Sequence, residues 1–262
     1  MSASRKWAIV TGASSGIGRA LAREFAAGDF NVLLTGRNEP ALQELAGQCA
    51  TGFDVQTRVV PADLAQPEAV DALIDAISAF AADYEILVNN AGFGLHGAFA
   101  QAGGDQELQM LNVQLAATLK LTKAVLPSMV SRGSGRILNV ASVYSFAPVP
   151  FQAVYSACKA FLLSFSSALQ SELRGTGVTV TVFCPGITQT EFRSRASIAE
   201  KRKDSGISAE AAARIAYVAT LQRKHIVVPG FLNRLFVLAA RLIPGQAFAN
   251  MVRFINRQRG QQ

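Results

Sequence analysis

The chain has 262 residues, half of them hydrophobic and 16% charged, so it can bury a substantial core and lacks the composition of a disordered protein. The net charge of +7 belongs to the tail, since residues 1–210 carry 17 basic and 18 acidic side chains and no acidic residue follows Glu210. The near-neutral main body argues against nucleic acid as a partner.

Seven short runs rich in apolar and β-branched residues have the length and composition of buried strands. Only six residues precede the first run, so we expect no signal peptide. The predicted strands cover residues 7–12, 30–37, 55–60, 85–92, 135–142, 177–186 and 225–230.

Segments with helical spacing separate these strands, and two of them carry a proline near their start, where a helix tolerates it. No hairpin signal connects one strand directly to the next. This alternation predicts an α/β fold, a parallel sheet with helices on both faces, which binds ligands at the carboxyl ends of its strands. The predicted helices cover residues 16–27, 39–49, 66–81, 105–131, 152–174 and 208–222.

A glycine-rich turn, TGASSGIG, leaves the first strand and opens the first helix. Gly12 permits a tight turn, Gly16 allows a pyrophosphate close to the backbone, and Gly18 allows close helix packing. The helix N-terminus offers unpaired amide groups and a positive dipole end to phosphate. In this strand–turn–helix context the motif predicts a dinucleotide site.

The end of the second strand indicates which dinucleotide is bound. An NAD-preferring site carries an acidic residue there for the ribose 2′-hydroxyl, whereas this chain reads Thr35-Gly36-Arg37-Asn38. Arg37 can pair with a 2′-phosphate through two hydrogen bonds. We therefore expect NADP(H) as the cofactor; the alternative for Arg37 is a solvated loop arginine.

Tyr155 and Lys159 are four residues apart in AVYSACKA, so on a helix they share a face. They are either a surface pair or an acid–base pair in which the cation makes the phenol more acidic. An ordinary phenol has a pKa near ~10, and lowering it by three units requires roughly 4 kcal/mol. Lys159 and an oxidised nicotinamide are adequate sources of that energy. Ser142, ending the fifth strand, can donate to a substrate oxygen.

The three cysteines are odd in number and lack C-x-x-C spacing, which predicts neither a disulfide framework nor a zinc site and suits a reducing compartment. No metal site is expected. Cys158 lies between Tyr155 and Lys159, and we interpret it as a small packing residue.

With these motifs in order along residues 5–230, the chain resembles the short-chain dehydrogenase/reductase family, of the type called classical. The resemblance implies a Rossmann-like, doubly wound, mostly parallel seven-stranded sheet. The motifs that carry it are Thr11–Gly18 (TGxxxGxG), Asn89–Gly92 (NNAG), Asn112, Ser142, Tyr155 with Lys159, and Pro185-Gly186.

The resemblance implies a catalytic set of Asn112, Ser142, Tyr155 and Lys159. Tyr155 would exchange a proton with the carbonyl or alcohol oxygen, and Ser142 would polarise that oxygen. Lys159 would lower the pKa of Tyr155 and hold the nicotinamide ribose. Asn112 would keep a helix kinked around a water that links Lys159 to solvent.

The resemblance also implies the cofactor contacts. Asp63 would touch the adenine, with Leu64 beside it, and the residues after Pro185 would hold the carboxamide. Ser15 stands where some NADP-dependent relatives have a basic residue, which leaves the discrimination to Arg37. The full expected set is Gly12, Ser14, Ser15, Gly16, Ile17, Gly18, Arg37, Asp63, Leu64, Asn90, Ala91, Gly92, Tyr155, Lys159, Pro185, Gly186, Ile187, Thr188 and Thr190.

Apolar residues near the expected opening favour an apolar carbonyl substrate, such as a 3-oxoacyl thioester, a steroid-like ketone or a long-chain ketone. Each of them is equally compatible with ordinary core. Residues 191–206 lie where relatives carry a lid, whose basic side chains either contact substrate phosphate or are solvated. The candidate pocket residues are Phe93, Leu95, Val143, Tyr144, Phe146, Val149, Phe151, Ile187 and Phe192.

We divide the chain into an NADP(H)-binding catalytic domain, residues 1–230, and a basic amphipathic helical extension, residues 231–262. The segment 231–243 is too short to span a bilayer. The extension is expected to cover the pocket, to join subunits or to lie on an anionic membrane surface.

The expected protein is a cytoplasmic enzyme, with peripheral attachment to a membrane as an alternative. The family resemblance suggests a homodimer or homotetramer formed through helices 105–131 and 152–174. A non-catalytic dinucleotide-binding sensor or scaffold on the same fold is the alternative to an enzyme.

Overall fold

The structure is a computed structural model that describes residues 5–80, 83–190, 192 and 206–258. The strands are β1 (Trp7–Thr11), β2 (Asn31–Thr35), β3 (Thr57–Val59), β4 (Tyr84–Asn89), β5 (Gly135–Val140), β6 (Val178–Phe183), β7 (Thr188–Gln189), β8 (Ile207–Ser208) and β9 (Ile226–Val227). Seven of them form one parallel sheet in the order β3-β2-β1-β4-β5-β6-β9. The predicted seven-stranded, doubly wound sheet is confirmed.

Helices cover both faces of this sheet, which explains why its central strands are continuous apolar runs. The helices are α1 (Gly16–Ala27), α2 (Glu39–Phe53), α3 (Pro67–Ala79), α4 (Gly104–Leu111), α5 (Ala117–Arg132), α6 (Ala153–Glu172), α7 (Ala209–Leu221), α8 (Phe231–Leu242) and α9 (Gly245–Gln258). The two faces bury Phe25, Leu42 and Ala213 on one side, and Leu73, Leu121 and Leu169 on the other.

The strand order reverses between β1 and β4, which are neighbours in the sheet although an α-β-α-β-α segment separates them in the chain. At such a reversal the loops that follow the two strands diverge and leave a crevice at the carboxyl edge. The glycine-rich turn follows β1 and the NNAG segment follows β4, so the fold brings these two motifs to that crevice.

The single helix expected over residues 105–131 is divided into three parts. α4 ends at Leu111, a π-helical segment covers Asn112–Ala116, and α5 begins at Ala117. The Asn112 side chain donates a hydrogen bond of 3.1 Å to the carbonyl oxygen of Ala65, which ties the helix to the loop after β3. Single π turns of this kind occur often at functional sites.

The C-terminal residues form two helices, and their inner side packs against the sheet domain. Val237 of α8 and Phe248 of α9 are buried, the latter almost completely. No helix within the described part of the chain combines the length and apolar character required to cross a bilayer. β7 and β8, which pair with each other in a separate two-stranded sheet, were not predicted from the sequence.

Candidate active site

The glycine-rich turn adopts the conformation that its sequence predicts. Gly12 and Gly16 have φ angles of 64° and 56°, in the left-handed region that favours glycine. A Cβ atom on Gly18 would lie 2.2 Å from the Gly12 carbonyl oxygen, so this position accepts no side chain. The first turn of α1 contains no acidic residue that would repel an anion.

The NNAG segment holds this turn in place through hydrogen bonds to β1. The Asn90 amide donates to the Thr11 carbonyl oxygen at 2.9 Å and reaches that of Gly12 at 3.4 Å. The backbone amides of Asn90 and Ala91 both donate to the Thr11 hydroxyl. The Asn90 side chain therefore positions the turn, a role that the motif comparison did not indicate.

Arg37 lies at the same edge, in the turn after β2. A Cβ atom on Gly36 would lie 3.6 Å from the Ser14 hydroxyl oxygen, so the two turns are adjacent. Arg37 is exposed, and its guanidinium forms no hydrogen bond or ion pair with any residue that the structure describes. A cation without a partner beside the phosphate turn is available to an anionic ligand.

The loop after β3 borders this region. The Ala62 amide donates to the Gly36 carbonyl oxygen, and Asp63 accepts a hydrogen bond of 3.1 Å from the Ala65 amide. Leu64 is buried in the core cluster beneath the loop. Asp63 and Leu64 thus lie on the side of the crevice where Arg37 emerges.

Ser142, Tyr155 and Lys159 come together at the carboxyl end of β5. Ser142 follows that strand, while Tyr155 and Lys159 project from the first turns of α6. All three are at most 9% exposed. The hydroxyls of Tyr155 and Ser142 are hydrogen-bonded, and the Lys159 Nζ atom lies 5.5 Å from the centroid of the Tyr155 ring. The interpretation of this pair as a solvated surface feature is wrong, because both side chains are buried.

The pKa of Tyr155 differs from the sequence-based expectation. Burial raises the pKa of the phenol well above its ordinary value, and the hydrogen bond with Ser142 offsets this only in part. The Lys159 amine instead donates a hydrogen bond of 3.0 Å to the Val140 carbonyl oxygen. Burial is thus the largest influence on the phenol here, and the expectation that Lys159 and an oxidised nicotinamide together make it more acidic stays a prediction.

Lys159 is perturbed by the same surroundings. Burial lowers the pKa of its amine to about 8, and the neighbouring thiols of Cys158 and Cys184 counteract this in part. The ammonium group is thus held in a site that disfavours charge. Such strongly perturbed groups gather at functional sites more often than elsewhere.

Backbone hydrogen bonds fix Ser142 in this cluster. The Val143 amide donates to the Pro185 carbonyl oxygen at 3.0 Å, which joins the turn after β5 to the turn after β6. The Ser142 hydroxyl oxygen accepts a hydrogen bond from the Tyr144 amide at 3.2 Å. One lone pair of the hydroxyl is thereby occupied and its position is set.

The turn after β6 extends over the phosphate turn. A Cβ atom on Gly16 would lie 3.2 Å from Cγ2 of Thr190, and the Thr188 hydroxyl lies 3.4 Å from the Gly186 carbonyl oxygen. Ile187, between them, is about half exposed. The structure therefore joins the segment after Pro185 to the glycine-rich turn, although they are far apart in the chain.

The π-helical segment contains a polar residue that the sequence analysis missed. Gln114 is 1% exposed, and its amide donates a hydrogen bond of 3.0 Å to the Phe93 carbonyl oxygen. Its Oε1 atom would lie 3.1 Å from a Cβ atom on Gly92. Gln114 supports the NNAG turn from below; its only signal in the sequence is an amide flanked by apolar residues.

Apolar side chains surround Tyr155. Tyr155 forms a buried cluster with Met110 and Cys158, and four of the candidate pocket residues pack against this cluster: Phe93, Leu95, Tyr144 and Phe192. The ring centroids of Tyr155 and Phe192 are 5.5 Å apart. The other candidates lie elsewhere: Val143 and Val149 are core, Phe146 packs under Arg241, Phe151 stacks on His96, and Ile187 is exposed.

Helix α8 forms part of the rim of this cluster, which the sequence did not assign. The ring centroid of Phe236 lies 6.3 Å from that of Tyr144. A Cβ atom on Gly186 would lie 2.4 Å from Oδ1 of Asn233, so the absence of a side chain at Gly186 allows α8 to approach. The expectation that the C-terminal extension covers the pocket agrees with these contacts. The predicted lid lies outside the described residues apart from Phe192 and Gly206.

These features fit a dinucleotide in the crevice. The turn after β1 brings glycine backbone and the N-terminus of α1 to the crevice, an unpartnered arginine lies beside them, and a buried proton donor lies further along the same edge. Within the described residues no group of three or more histidine, cysteine or acidic side chains is arranged to bind a metal ion.

Comparison with known proteins agrees with this geometry. Residues 6–201 match the short chain dehydrogenase family. Sulfoacetaldehyde reductase 2 of Chromohalobacter salexigens is 36% identical over 245 residues, 89% of this chain and 94% of the relative. A solved short-chain dehydrogenase from Sphingobium yanoikuyae in complex with NADPH superimposes with a TM-score of 0.82 at 30% identity, covering 90% of this chain and 93% of the other.

A third similar protein is named for a different activity. The bulky-bulky ketone specific alcohol dehydrogenase from Comamonas testosteroni has a TM-score of 0.78 at 26% identity, covering 92% of this chain and 96% of the other. The match to the family covers well over half of the chain and every motif that defines the crevice. This protein belongs to the short-chain dehydrogenase/reductase family, oxidoreductases that act on alcohol and carbonyl groups with a nicotinamide cofactor.

Proposed function

We propose that this protein is an NADP(H)-dependent reductase or dehydrogenase that interconverts an apolar ketone or aldehyde and the corresponding alcohol. The observation that carries the proposal is the buried Tyr155 hydroxyl, hydrogen-bonded to Ser142 and lined by apolar side chains at the carboxyl edge of the sheet. A proton donor in a water-poor site is what reduction of an apolar carbonyl requires.

The nicotinamide, when bound, supplies or accepts the hydride. In the reductive direction Tyr155 donates its proton to the carbonyl oxygen, and Ser142 donates a hydrogen bond to the same atom as negative charge develops on it. In the oxidative direction Tyr155 takes the alcohol proton. Lys159 holds the ribose hydroxyls and places a positive charge beside the phenolate.

The remaining contacts to the cofactor follow from the crevice. The glycine-rich turn, with Ser14, Ser15 and Ile17, binds the pyrophosphate, and Asp63, Leu64, Asn90, Ala91 and Gly92 border the adenosine. Pro185, Gly186, Ile187, Thr188 and Thr190 hold the carboxamide. Asn112 supports the π-helical turn, and its hydrogen bond to the loop after β3 supports this role.

We assign NADP(H) rather than NAD(H) on the charge beside the phosphate turn. Arg37 is exposed and unpartnered among the described residues, and no acidic residue occurs from Thr35 to Asn38. A guanidinium there matches the 2′-phosphate, which a carboxylate would repel. The structurally similar protein from Sphingobium yanoikuyae is itself a complex with NADPH.

Arg37→Glu is expected to raise the Michaelis constant for NADPH about thirtyfold, because a charge-assisted hydrogen bond contributes roughly 1.5–3 kcal/mol. The constant for NADH is expected to remain unchanged or to fall. Initial-rate kinetics with both cofactors measure this. Arg174→Glu is the matched control, since Arg174 is another exposed arginine but precedes β6 at the opposite edge of the sheet. Equal effects of the two substitutions would contradict the assignment.

The apolar substrate class is proposed from Phe93, Leu95, Tyr144 and Phe192 around Tyr155. Large apolar walls favour ligands that lose apolar surface to the pocket, at roughly 25 cal/mol per Å². The ketone-specific relative from Comamonas testosteroni agrees with this class, whereas the relative named sulfoacetaldehyde reductase points to a small anionic aldehyde. Sulfoacetaldehyde is therefore the informative comparison substrate.

NADPH oxidation should be measured with a steroid ketone, a long-chain ketone, a 3-oxoacyl thioester, an aromatic aldehyde and sulfoacetaldehyde. We expect kcat/KM for at least one of the apolar carbonyls to exceed that for sulfoacetaldehyde. Preference for sulfoacetaldehyde would contradict the substrate class. NADPH binding without turnover of any carbonyl would favour the non-catalytic sensor.

We further propose that the enzyme is a cytoplasmic homodimer or homotetramer. All three cysteines are buried and unpaired, which suits a reducing compartment. Exposed apolar residues lie on the helices expected to join subunits, with Leu108 on α4 and Val130 on α5. Sedimentation equilibrium of the full chain measures the assembly, and a monomer alone would contradict it.

A further inference from the structure

Helix α8 has two apolar faces, and within the part of the chain that the structure describes only one of them is packed against the protein. The inner face consists of Asn233, Phe236 and Val237, which contact the active-site rim or the core. These residues follow the i, i+3, i+4 spacing of one helical side. They anchor α8 without using its largest aliphatic residues.

The outer face of α8 consists of Phe231, Leu232, Leu235, Leu238 and Leu242. Its members are between 52% and 79% exposed, and four of them recur at i, i+4, i+7 and i+11. Met251 and Phe254 of α9 are also exposed, at 41% and 62%. The usual arrangement is reversed here, since an amphipathic helix buries its leucine stripe. An exposed apolar surface of this size indicates a partner.

The charge around the outer face indicates which partner it takes. Residues 231–262, which include this face, contain five basic and no acidic side chains. Arg234 lies beside the outer face and Arg253 is exposed on α9. Leucine and phenylalanine with arginine at their margin is the composition of a helix that lies in a lipid interface.

We propose that the outer face of α8, together with Met251 and Phe254, docks this protein on the surface of an anionic lipid bilayer. The apolar side chains enter the acyl boundary, and the arginines contact the negative headgroups. A second copy of this chain is a poorer occupant, because a symmetric contact through the outer face would bring the same arginines of both copies together without an acidic partner.

The two faces of α8 connect this surface with catalysis. The inner face touches Tyr144 through Phe236 and Gly186 through Asn233, both at the rim of the cluster around Tyr155. A bilayer on the outer face would therefore lie one helix away from the substrate entrance. In this arrangement the enzyme takes an apolar carbonyl substrate that is dissolved in the lipid, an inference that rests on the proposed function.

Vesicle co-sedimentation of the full chain tests the docking. One set of vesicles is phosphatidylcholine alone, and the other is phosphatidylcholine and phosphatidylserine in equal parts. We expect binding to the anionic vesicles that weakens with added salt, since headgroup attraction is screened. Leu238→Asp is expected to weaken this binding at least about tenfold, because one leucine no longer enters the lipid.

Phe99→Asp is the matched control, because Phe99 is 66% exposed but lies outside the C-terminal helices. It adds the same charge and should leave vesicle binding unchanged. Equal loss with both variants, equal binding to the two kinds of vesicle, or no binding at all would overturn the proposal. Analytical ultracentrifugation of Leu238→Asp tests the other possible occupant, a second copy of this chain. If the substitution dissociates an oligomer and the unsubstituted chain binds no vesicles, the outer face is assigned to a second copy.

Separate measurements test the docking and the proposed function, so either proposal can be contradicted without the other. Turnover of a water-soluble carbonyl with NADPH is measured without vesicles, and Leu238→Asp should leave it unchanged because Leu238 faces away from the rim. A chain that binds vesicles but reduces no carbonyl would overturn the function alone. A chain that reduces carbonyls but ignores both kinds of vesicle would overturn the docking alone.

Discussion

Tyr155→Phe is expected to lower kcat about a thousandfold, since a positioned general acid contributes roughly 10²–10⁴ to a rate. The substitution removes one oxygen atom and keeps the ring against Tyr144 and Phe192. The hydrogen bond with Ser142 is lost, which costs about 1 kcal/mol of stability. The dissociation constant for NADPH, measured by fluorescence titration, should change little, because the lost group acts on the substrate oxygen.

The control is Tyr84→Phe, a second buried tyrosine. The Tyr84 hydroxyl has no hydrogen-bond partner among the described residues, so its removal leaves no group unsatisfied. It lies in the first residue of β4, at the opposite edge of the sheet from the crevice. We expect normal kcat in this variant. If Tyr155→Phe also retained normal kcat, the acid–base assignment would be wrong.

Lys159→Met is expected to lower kcat/KM at least about a hundredfold while the folded protein becomes more stable. The loss of activity has an electrostatic cause, since removing one donor or charge that acts on the transition state typically costs about 10²–10³ in rate. Methionine fills a similar volume without the charge. Lys120→Met, which removes an exposed lysine paired with Asp71, is the control and should affect neither quantity strongly.

The gain in stability follows from the pKa of Lys159, which burial lowers from 10.5 to about 8. At about 1.4 kcal/mol for each pKa unit, holding the ammonium form in the folded state costs about 3 kcal/mol near neutral pH. The lost hydrogen bond to Val140 offsets about 1 kcal/mol of the expected gain.

The pH dependence of the gain in stability tests whether the lowered pKa of Lys159 is its cause. Between pH 8 and 10.5 the unfolded chain binds the Lys159 proton more strongly than the folded chain, so the stability of the unsubstituted protein rises with pH. The advantage of Lys159→Met should therefore be complete below pH 8 and decline as the pH rises through this window. Urea unfolding at several pH values measures it. A variant that is less stable at every pH would contradict the argument.

Local sequence signals account for the fold and for most of the crevice. Buried strands such as β1 and β4 are apolar runs bounded by glycine or polar residues, and short loops place each helix on the sheet. Gly12 and Gly16 are required by their own backbone angles, and the spacing of Tyr155 and Lys159 places them on one side of α6. Such features are local in the chain, so they can be read without coordinates.

Other properties of the site arise only when distant segments meet. The raised pKa of Tyr155 results from burial among residues of four separate segments, and no spacing within α6 predicts it. The π-helical turn at Asn112 has its hydrogen-bond partner at Ala65, in another loop. The division of the chain into domains at residue 230 stays a prediction.

Helix α8 shows the same distinction. Its amphipathic pattern was visible in the residues, but the pattern does not say which side faces the protein. Asn233 and Phe236 turn inward because Gly186 has no side chain and Tyr144 presents its ring, and the leucines are left outside. Periodicity and backbone chemistry are encoded residue by residue, whereas burial, pKa and the choice of a buried face depend on which parts of the folded chain come into contact.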